Sequence, residues 1–242
     1  MTEAAAPPPA PAAAPVPAGP DRRAILREAW TVVAAVSAVT VTLAVLARFV
    51  PLLDGNLSLL VALLFFAVPS VVVRYRGLDE ETYLPLKLAA FDGAALQALL
   101  VALVIFPLFA GGFWLLHGVL LHRHFAPHLP RDFGLLVLTH LVLVAMPEEF
   151  FFRGYLQRRL DDVYPQRWRV LGVAVGPALV IASAAFAVVH VVVEPRLDRL
   201  AVFFPGLLFG WLRARTKTIW APALLHGTSN LLAAVLEACF YY

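Results

Sequence analysis

Long apolar stretches dominate the sequence and constrain its fold more than any other feature. A helix needs about 20 apolar residues to cross the roughly 30 Å hydrocarbon core of a bilayer. Seven stretches reach or approach that length, at about 29–50, 57–73, 94–121, 133–157, 172–193, 199–213 and 217–239. Charged residues make up 14% of the chain, whereas soluble domains carry about 25%. The sequence therefore predicts an all-α fold, a polytopic transmembrane helical bundle of about seven spans.

The orientation of the spans depends on the third stretch, which contains Pro107 and the pair Gly111-Gly112. If this stretch is one helix, the chain has seven spans and 14 of its 19 Lys and Arg residues lie on the side of the N-terminus. Basic residues concentrate in cytoplasmic loops, whereas a split third stretch would place the later basic clusters outside. We therefore predict a multi-pass protein of the inner (plasma) membrane with a cytoplasmic N-terminus.

Composition divides the chain into three parts. Residues 1–20 are almost only Ala and Pro, which favour extended, unpacked chain, so we predict a disordered tail there. Residues 21–132 form the N-terminal transmembrane helices, and residues 133–242 form a second transmembrane core. The single cysteine, Cys239, excludes an internal disulfide and a CxxC motif. Since the basic residues lie at the ends of apolar stretches, we predict the lipid bilayer as a partner and no nucleic acid.

Charged residues inside the fourth stretch indicate a function there. A charge within a span costs at least about 2.5–3.5 kcal/mol on insertion scales, yet this stretch contains Glu148, Glu149 and Arg153. Glu149 and Arg153 are one helical turn apart and can pair, which lowers the cost of both. Glu148 has Phe152 at the corresponding position and points about 100° away around the helix. Its partners must therefore lie on another helix.

Three further polar residues occur within later stretches, at a similar predicted depth. The fifth stretch contains His190 in the pattern FAVVH, and the seventh contains His226 and Asn230 in the pattern HGTSN. Because His226 and Asn230 are one turn apart, both can reach one small group. A single intramembrane His or Asn is more often a helix–helix hydrogen bond than a catalytic group. Together with Glu148, however, these residues lie on three separate spans, which favours a shared function.

The three patterns together resemble a known family. The segment EEFFFR, from Glu148 to Arg153, matches an EExxxR motif, FAVVH matches FxxxH, and HGTSN matches HxxxN. In this order the motifs resemble those of the CPBP intramembrane endopeptidases, which include the type II CAAX prenyl proteases and the bacteriocin-processing and bacteriocin-immunity proteins. The resemblance covers about 133–237. The residues in and around the first motif are most similar to those of the bacterial, myxosortase-like branch, which trims C-terminal sorting helices of surface proteins.

The resemblance implies an intramembrane endopeptidase of the glutamic type that needs no cofactor and no metal. By motif position, Glu148 is the general base that activates water, and His190 is its partner in holding or protonating that water. His226 and Asn230 are the pair that stabilises the oxyanion, for which donors in a low-dielectric pocket are effective. The implied substrate is a membrane-associated protein or peptide, and the branch resemblance points to a C-terminal sorting segment.

The remaining motif residues, Glu149 and Arg153, take a supporting role by the same resemblance, and residues 133–242 become a CAAX-protease-like catalytic core. Two alternatives stay open. One is a zinc-dependent version of the protease, because Glu and His are zinc ligands, although no HExxH pattern is present. The other is a non-catalytic membrane immunity or scaffold protein of the same fold. A proton-coupled transporter is disfavoured because the first half contains no repeat of these motifs.

Overall fold

The computed structural model describes residues 21–241, so the predicted tail at 1–20 lies outside the described residues. The protein has an all-α membrane fold and is 78% helical. The first five helices are α1 (Arg22–Ala47), α2 (Pro51–Asp54), α3 (Leu57–Tyr75), α4 (Glu80–Tyr83) and α5 (Phe91–Trp114). The later helices are α6 (Phe133–Leu138), α7 (Met146–Glu149), α8 (Arg158–Asp161), α9 (Pro177–Val193), α10 (Phe203–Thr216) and α11 (Trp220–Cys239).

Shorter elements connect these helices. Two turns of 3-10 helix precede α5 and α10, at Leu88–Ala90 and Leu197–Val202. Two antiparallel strand pairs complete the fold, β1 (His124–Phe125) with β4 (Phe240–Tyr241) and β2 (Trp168–Val170) with β3 (Val173–Val175).

The helix that carries the EExxxR motif is continuous over 29 residues, Phe133–Asp161, and is here called the site helix. It comprises α6, α7 and α8, with π-helical segments between them at Thr139–Ala145 and Phe150–Gln157. Such segments are rare and occur frequently at functional sites. Pro147 lies in α7, inside this continuous helix and just after a π-helical segment, so its missing N–H removes one hydrogen bond from the helix interior. The two glutamates of the motif therefore lie between two π-helical segments.

Four helices among the described residues are long and apolar enough to cross a membrane, namely Arg22–Ala47, Leu57–Tyr75, Glu80–Leu120 and Phe133–Asp161. Large apolar side chains on α5 are exposed, among them Leu103 at 63% and Leu108 at 69%, as a lipid-facing surface requires. The other three predicted spans coincide with α9, which is apolar but shorter, and with α10 and α11. The protein is therefore a membrane protein, and the full number of seven spans stays a prediction.

The third predicted span is a single helix, as expected. The helix continues through Pro107 and past the glycine pair, and ends in a π-helical segment at Leu115–Leu120.

The predicted start of the fifth span at residue 172 is wrong. Leu171 and Gly172 adopt positive φ angles of 48° and 80°, and they form the turn between β2 and β3. The helix begins only at Pro177, because proline is favoured in the first turn, where no intrahelical donor is needed. A Cβ on Gly176 would lie 2.6 Å from the Pro165 carbonyl oxygen, so the chain passes close to itself before α9 begins.

Contacts between loops and helix ends occur at two opposite ends of the bundle. At one end, the start of α1 contacts the end of the site helix, through a hydrogen bond from Arg22 to the Val163 carbonyl and an ion pair between Glu28 and Arg159. At the other end, β1 pairs with β4, next to Cys239. The 29 residues of the site helix separate these two ends, a length of about 40 Å. The start of α1 and the end of α11 therefore lie at opposite ends.

Aromatic packing fixes the rotation of the site helix. Phe151 and Phe152 are each 1% exposed and belong to a core that also contains residues of α1, α3 and α9. The Phe151 ring lies 5.2 Å from Phe65 of α3, and the Phe152 ring 5.0 Å from Phe186 of α9, measured between centroids. Because the phenylalanines between the motif ends fill this core, Glu148 and Glu149 are held in fixed directions.

Candidate active site

Glu149 and Arg153 form the ion pair that their spacing predicts. Arg153 Nη1 donates to Glu149 Oε1 at 3.0 Å, and the two side chains are 1% and 0% exposed. The second Arg153 nitrogen, Nη2, donates to the Gly206 carbonyl oxygen of α10 at 3.2 Å. The guanidinium also lies 4.3 Å from the centroid of the Phe186 ring, within the range of a cation–π interaction. This charge pair is therefore fully enclosed by protein.

Gly206 allows α10 to approach the buried arginine. A Cβ at this position would lie 3.3 Å from Arg153 Nη2 and 3.3 Å from Ser183 Cβ. A larger residue would push α10 away from both the site helix and α9, and the carbonyl that receives the arginine hydrogen bond would move with it.

His226 connects the two glutamates. Its Nδ1 lies 2.9 Å from Glu149 Oε1, and its Nε2 lies 3.8 Å from Glu148 Oε2. A carboxylate bound to arginine can only accept hydrogen bonds, so Nδ1 is the donor to Glu149 and Nε2 faces Glu148. Phe209 of α10 stacks on the imidazole at 4.8 Å, with 16° between the ring planes. The direction of the His226 ring and the proton on its Nδ1 are thus fixed by its neighbours.

His190 approaches Glu148 from α9. Its Nδ1 lies 2.8 Å from the Phe186 carbonyl oxygen, one turn earlier in the same helix. Because a carbonyl oxygen accepts only, Nδ1 carries the proton of this bond. The opposite nitrogen, Nε2, lies 3.8 Å from Glu148 Oε2. The Phe186 ring packs edge-on against the imidazole, with 4.3 Å between centroids. Phe186 and His190, the first and last residues of the FxxxH motif, therefore contact each other, and these contacts hold the imidazole in its orientation.

Glu148 is the residue at which these contacts converge. Its Oε2 is 3.8 Å from Nε2 of both His190 and His226, which is beyond the 2.7–3.2 Å of a hydrogen bond. The same oxygen is buried and has no hydrogen-bond partner among the described residues. A buried carboxylate oxygen without a partner is costly and needs an explanation. A water molecule or a substrate atom in contact with both the carboxylate and an imidazole would satisfy it.

Asn230 lies one turn after His226 in α11 and is half-buried. Across residues 21–241, its carboxamide has no hydrogen bond with another side chain or with the backbone. The structure therefore brings together Glu148, Glu149, Arg153, His190 and His226, and it places Asn230 on the same helix as His226 without a direct contact to the carboxylates.

Sequence reasoning missed His140 of the site helix. This imidazole interacts electrostatically with both His226 and Glu148, and its Nδ1 is buried without a hydrogen-bond partner. Gly227 allows α11 to pack directly on this turn, since a Cβ there would lie 3.1 Å from the His140 carbonyl oxygen. The signal was a third histidine within a predicted span, eight residues before Glu148, which is two turns along the same helix.

A small cavity opens beside Glu148 and His190 and is here called the apolar slot. It has a volume of about 210 Å³, and its walls are Thr40, Ala44, Leu57, Ser58, Val61, Phe65, Leu143, Val144, Pro147, Glu148, Phe152, Val189, His190, Val193 and Glu194. Glu194 stands where α9 ends, and the hydrogen bond from Arg199 holds the pKa of this carboxyl below its usual range. A larger cavity of about 690 Å³ lies at the opposite end of the site helix and reaches Arg153.

The glutamates and histidines of the site are residue types that can bind a metal ion. In the part of the chain that the structure describes, no group of three or more His, Cys, Asp or Glu side chains is arranged so that it could hold a metal ion. Among the glutamates and histidines of the motifs, Glu149 is bonded to His226 and Arg153.

Residues 130–232 match the model of a protein family described as Rce1-like type II CAAX prenyl endopeptidase. The matched region begins just before the site helix and includes all seven residues that define the three motifs. This family is a protease family. No curated protein and no solved structure matches the chain.

Proposed function

We propose that the protein is an intramembrane endopeptidase in which Glu148 activates a water molecule to hydrolyse a peptide bond of a membrane-associated protein. The observation that carries this proposal is the buried, unpartnered Oε2 of Glu148, which lies 3.8 Å from each of two imidazoles contributed by other helices. The match of residues 130–232 to a protease family supports the same conclusion.

In the proposed reaction the site residues act one after another. A water molecule held by Glu148 and His190 loses a proton to the Glu148 carboxylate as its oxygen attacks the scissile carbonyl carbon. The carbonyl oxygen becomes an oxyanion, which the Asn230 carboxamide and a doubly protonated His226 stabilise: the imidazolium donates from Nε2 while its Nδ1–H stays bonded to Glu149. The tetrahedral intermediate then collapses, the carbon–nitrogen bond breaks, and the proton on Glu148 passes to the leaving amine. One water is consumed and the products are a carboxylate and an amine.

Glu149 and Arg153 act as positioning residues in this proposal. Glu149 accepts the Nδ1–H of His226, which directs Nε2 of that ring towards the reacting atoms. Arg153 fixes the carboxylate in turn and connects it to α10. Such partners behind a functional imidazole set its tautomer and orientation.

The substrate in this proposal is a protein segment embedded in the membrane, because the site lies within the helical bundle. We propose a C-terminal sorting segment as its form, on the resemblance of the first motif to the myxosortase-like branch. We also propose an inner-membrane location with a cytoplasmic N-terminus, and a catalytic core at 133–242 preceded by accessory helices at 21–132. The distribution of basic residues in the loops supports this orientation.

The test is to incubate the purified protein with a membrane fraction of its source and to search for a C-terminally shortened product by mass spectrometry. The product should form with the wild type and be absent with Glu148→Ala. A parallel incubation with a strong chelator should give the same amount of product. Loss of the product on chelation, restored by stoichiometric zinc, would instead make Glu148, His190 and His226 metal ligands and overturn this mechanism.

A further inference from the structure

The apolar slot adjoins the proposed catalytic residues. Glu148 and His190 form part of its wall, and the rest comes mainly from apolar side chains of α1, α3, α9 and the site helix. An object that fills the slot is therefore next to the atoms that would attack a peptide bond. Its volume of about 210 Å³ is below the roughly 300 Å³ at which pockets for complete small molecules begin. The slot is therefore large enough for one side chain and the atoms bonded next to it.

Besides Glu148, the wall of the slot contains a second polar group that is buried without a partner. Thr40 is 5% exposed, and its hydroxyl oxygen is buried without a hydrogen bond. Three other hydroxyl residues of α1 behave differently, since Thr31, Ser37 and Thr42 each donate to the backbone carbonyl four residues earlier. That local bond is the usual arrangement for Ser and Thr inside a helix. Thr40, a residue of the slot wall, thus has a buried hydroxyl without a partner, and such a group is costly unless it is hydrogen-bonded.

The chemistry of the slot selects among possible occupants. A lipid acyl chain would fill the apolar wall but has no donor or acceptor for the Thr40 hydroxyl. A peptide has both an apolar side chain for the wall and backbone N–H and C=O groups for the hydroxyl. Because Glu148 lines the slot, a peptide bound there lies next to this carboxylate.

We infer that the apolar slot is a substrate subsite: it binds an apolar side chain adjacent to the scissile bond, and the Thr40 hydroxyl hydrogen-bonds to the substrate backbone. This inference rests on the proposed endopeptidase function and adds to it a determinant of specificity. Residues of the N-terminal helices α1 and α3 would then select the substrate that the motif residues cleave.

The first test replaces Thr40→Val, which keeps the shape of the side chain and removes the hydroxyl. The value of kcat/KM for the substrate cleaved in source membranes should fall about tenfold, the usual effect of one lost hydrogen bond of this kind. The thermal stability should stay equal or rise, because a buried hydroxyl without a partner has been removed. Thr42→Val is the matched control, since Thr42 is exposed and bonds within its own helix, and it should leave kcat/KM unchanged.

The second test fills the slot with Ala44→Phe and compares it with Ala38→Phe. Ala44 lines the slot, whereas Ala38 lies on the exposed face of the same helix. The probes are membrane-embedded reporter peptides with the cleaved sequence, in which each residue flanking the cleavage site is Ala, Leu or Phe. Ala44→Phe should cleave the Leu and Phe reporters at least about tenfold more slowly than wild type, yet cleave the Ala reporter at a similar rate. Ala38→Phe should keep the wild-type preference.

The outcomes separate this inference from the proposed function. If wild type cleaves no reporter and no membrane protein, the proposed function fails and the subsite fails with it. If wild type cleaves its substrate while Thr40→Val and Ala44→Phe both match their controls, the subsite is overturned and the proposed function stands. If Ala44→Phe does not fold, Thr40→Val decides alone, because its volume matches that of threonine.

Discussion

Two adjacent glutamates differ at the residue scale by what surrounds them. Glu149 is completely buried, and its Oε1 is bonded to both Arg153 and His226, whereas Glu148 has no hydrogen bond to either imidazole and lines the apolar slot. One oxygen of each carboxylate is buried without a hydrogen bond among the described residues, but of the two only Glu149 is bonded to Arg153. A carboxylate paired in this way is suited to hold other groups in place, and one without such a partner is suited to react. Their different partners, one helical position apart, are the physical basis for assigning them different roles.

Neutralising Glu149 should therefore destabilise the protein. Glu149→Gln would leave the Arg153 charge buried without its counter-charge, and breaking a buried pair in this way costs roughly 3–5 kcal/mol. We expect a lower thermal unfolding temperature in detergent and reduced cleavage. Glu148→Gln is the control and should unfold close to the wild-type temperature. Equal stability of Glu149→Gln and wild type would show that the ion pair does not form.

The carboxamide of Asn230 should act in the transition state rather than in substrate binding. Asn230→Ala should leave KM nearly unchanged and lower kcat by about 10²–10³, the usual loss for one oxyanion donor. Steady-state kinetics on the cleaved substrate measures both constants. An increase in KM with an unchanged kcat would assign Asn230 to substrate binding and would contradict the oxyanion role.

The sequence allowed some contacts at this scale to be predicted and not others. The pair between Glu149 and Arg153 follows from their spacing on one helix, and the need of Glu148 for partners on another helix follows from its direction. The bond between His226 and Glu149 depends on how α11 is rotated and how closely it approaches, which spacing along the chain does not determine. The sequence also could not predict that the Thr40 hydroxyl has no partner, because most threonines in helices bond to their own backbone.

At the scale of elements, close helix contact sets the position of His226. The residue after it, Gly227, packs against the site helix, and a Cβ there would lie 2.5 Å from Leu141 Cδ2 and 3.1 Å from Leu141 Cα. The second distance involves backbone, so a rotamer change cannot relieve it. A side chain at this position would move α11 and carry His226 away from Glu148.

Gly227→Ala should therefore lower both cleavage and thermal stability. Displacements near a catalytic group of about 1 Å can cost about 100-fold in rate, so we expect a loss of roughly that size in kcat. Gly112→Ala is the matched control, since a Cβ there meets nothing within 4 Å, and alanine favours helix over glycine. Wild-type activity in Gly227→Ala would mean that the two helices have more room than the structure shows.

The elements themselves were largely predictable from apolar periodicity and length. Helix α5 continues through Pro107 because the long apolar stretch around it outweighs one missing hydrogen bond. The start of α9 was misjudged because residues 172–176 are apolar enough to continue a span. Their strand is instead set by a turn in which Leu171 and Gly172 take positive φ angles, a conformation that hydropathy does not report.

At the scale of the whole molecule, the start of α1 and strand β4 lie at opposite ends of the bundle. The beginning of α1 contacts the loop after the site helix, whereas β4 pairs with β1 at the other end. Basic residues are concentrated at the first end, so the positive-inside tendency predicts a cytoplasmic location for that end. The helical bundle was predictable as a whole, but the three shorter or more polar helices leave the number of crossings to experiment.

Reporter fusions test this arrangement. A reporter placed before Asp21 should be cytoplasmic, and one placed after Tyr242 should be external, because seven crossings put the ends on opposite sides. Alkaline phosphatase and green fluorescent protein fusions at each end give opposite signals in the two compartments. The same location for both ends would require an even number of crossings and would contradict the predicted topology.

The central claim is that Glu148 activates water for peptide hydrolysis within the membrane, and isotope labelling of the product tests it most directly. Source membranes are incubated in H₂¹⁸O with wild type or Glu148→Gln, each shown to be folded by thermal unfolding, and the new termini are analysed by mass spectrometry. We predict that wild type yields a shortened product with one ¹⁸O in its new carboxylate and that Glu148→Gln yields none. An undiminished labelled product with Glu148→Gln, or no product with wild type, would contradict the claim.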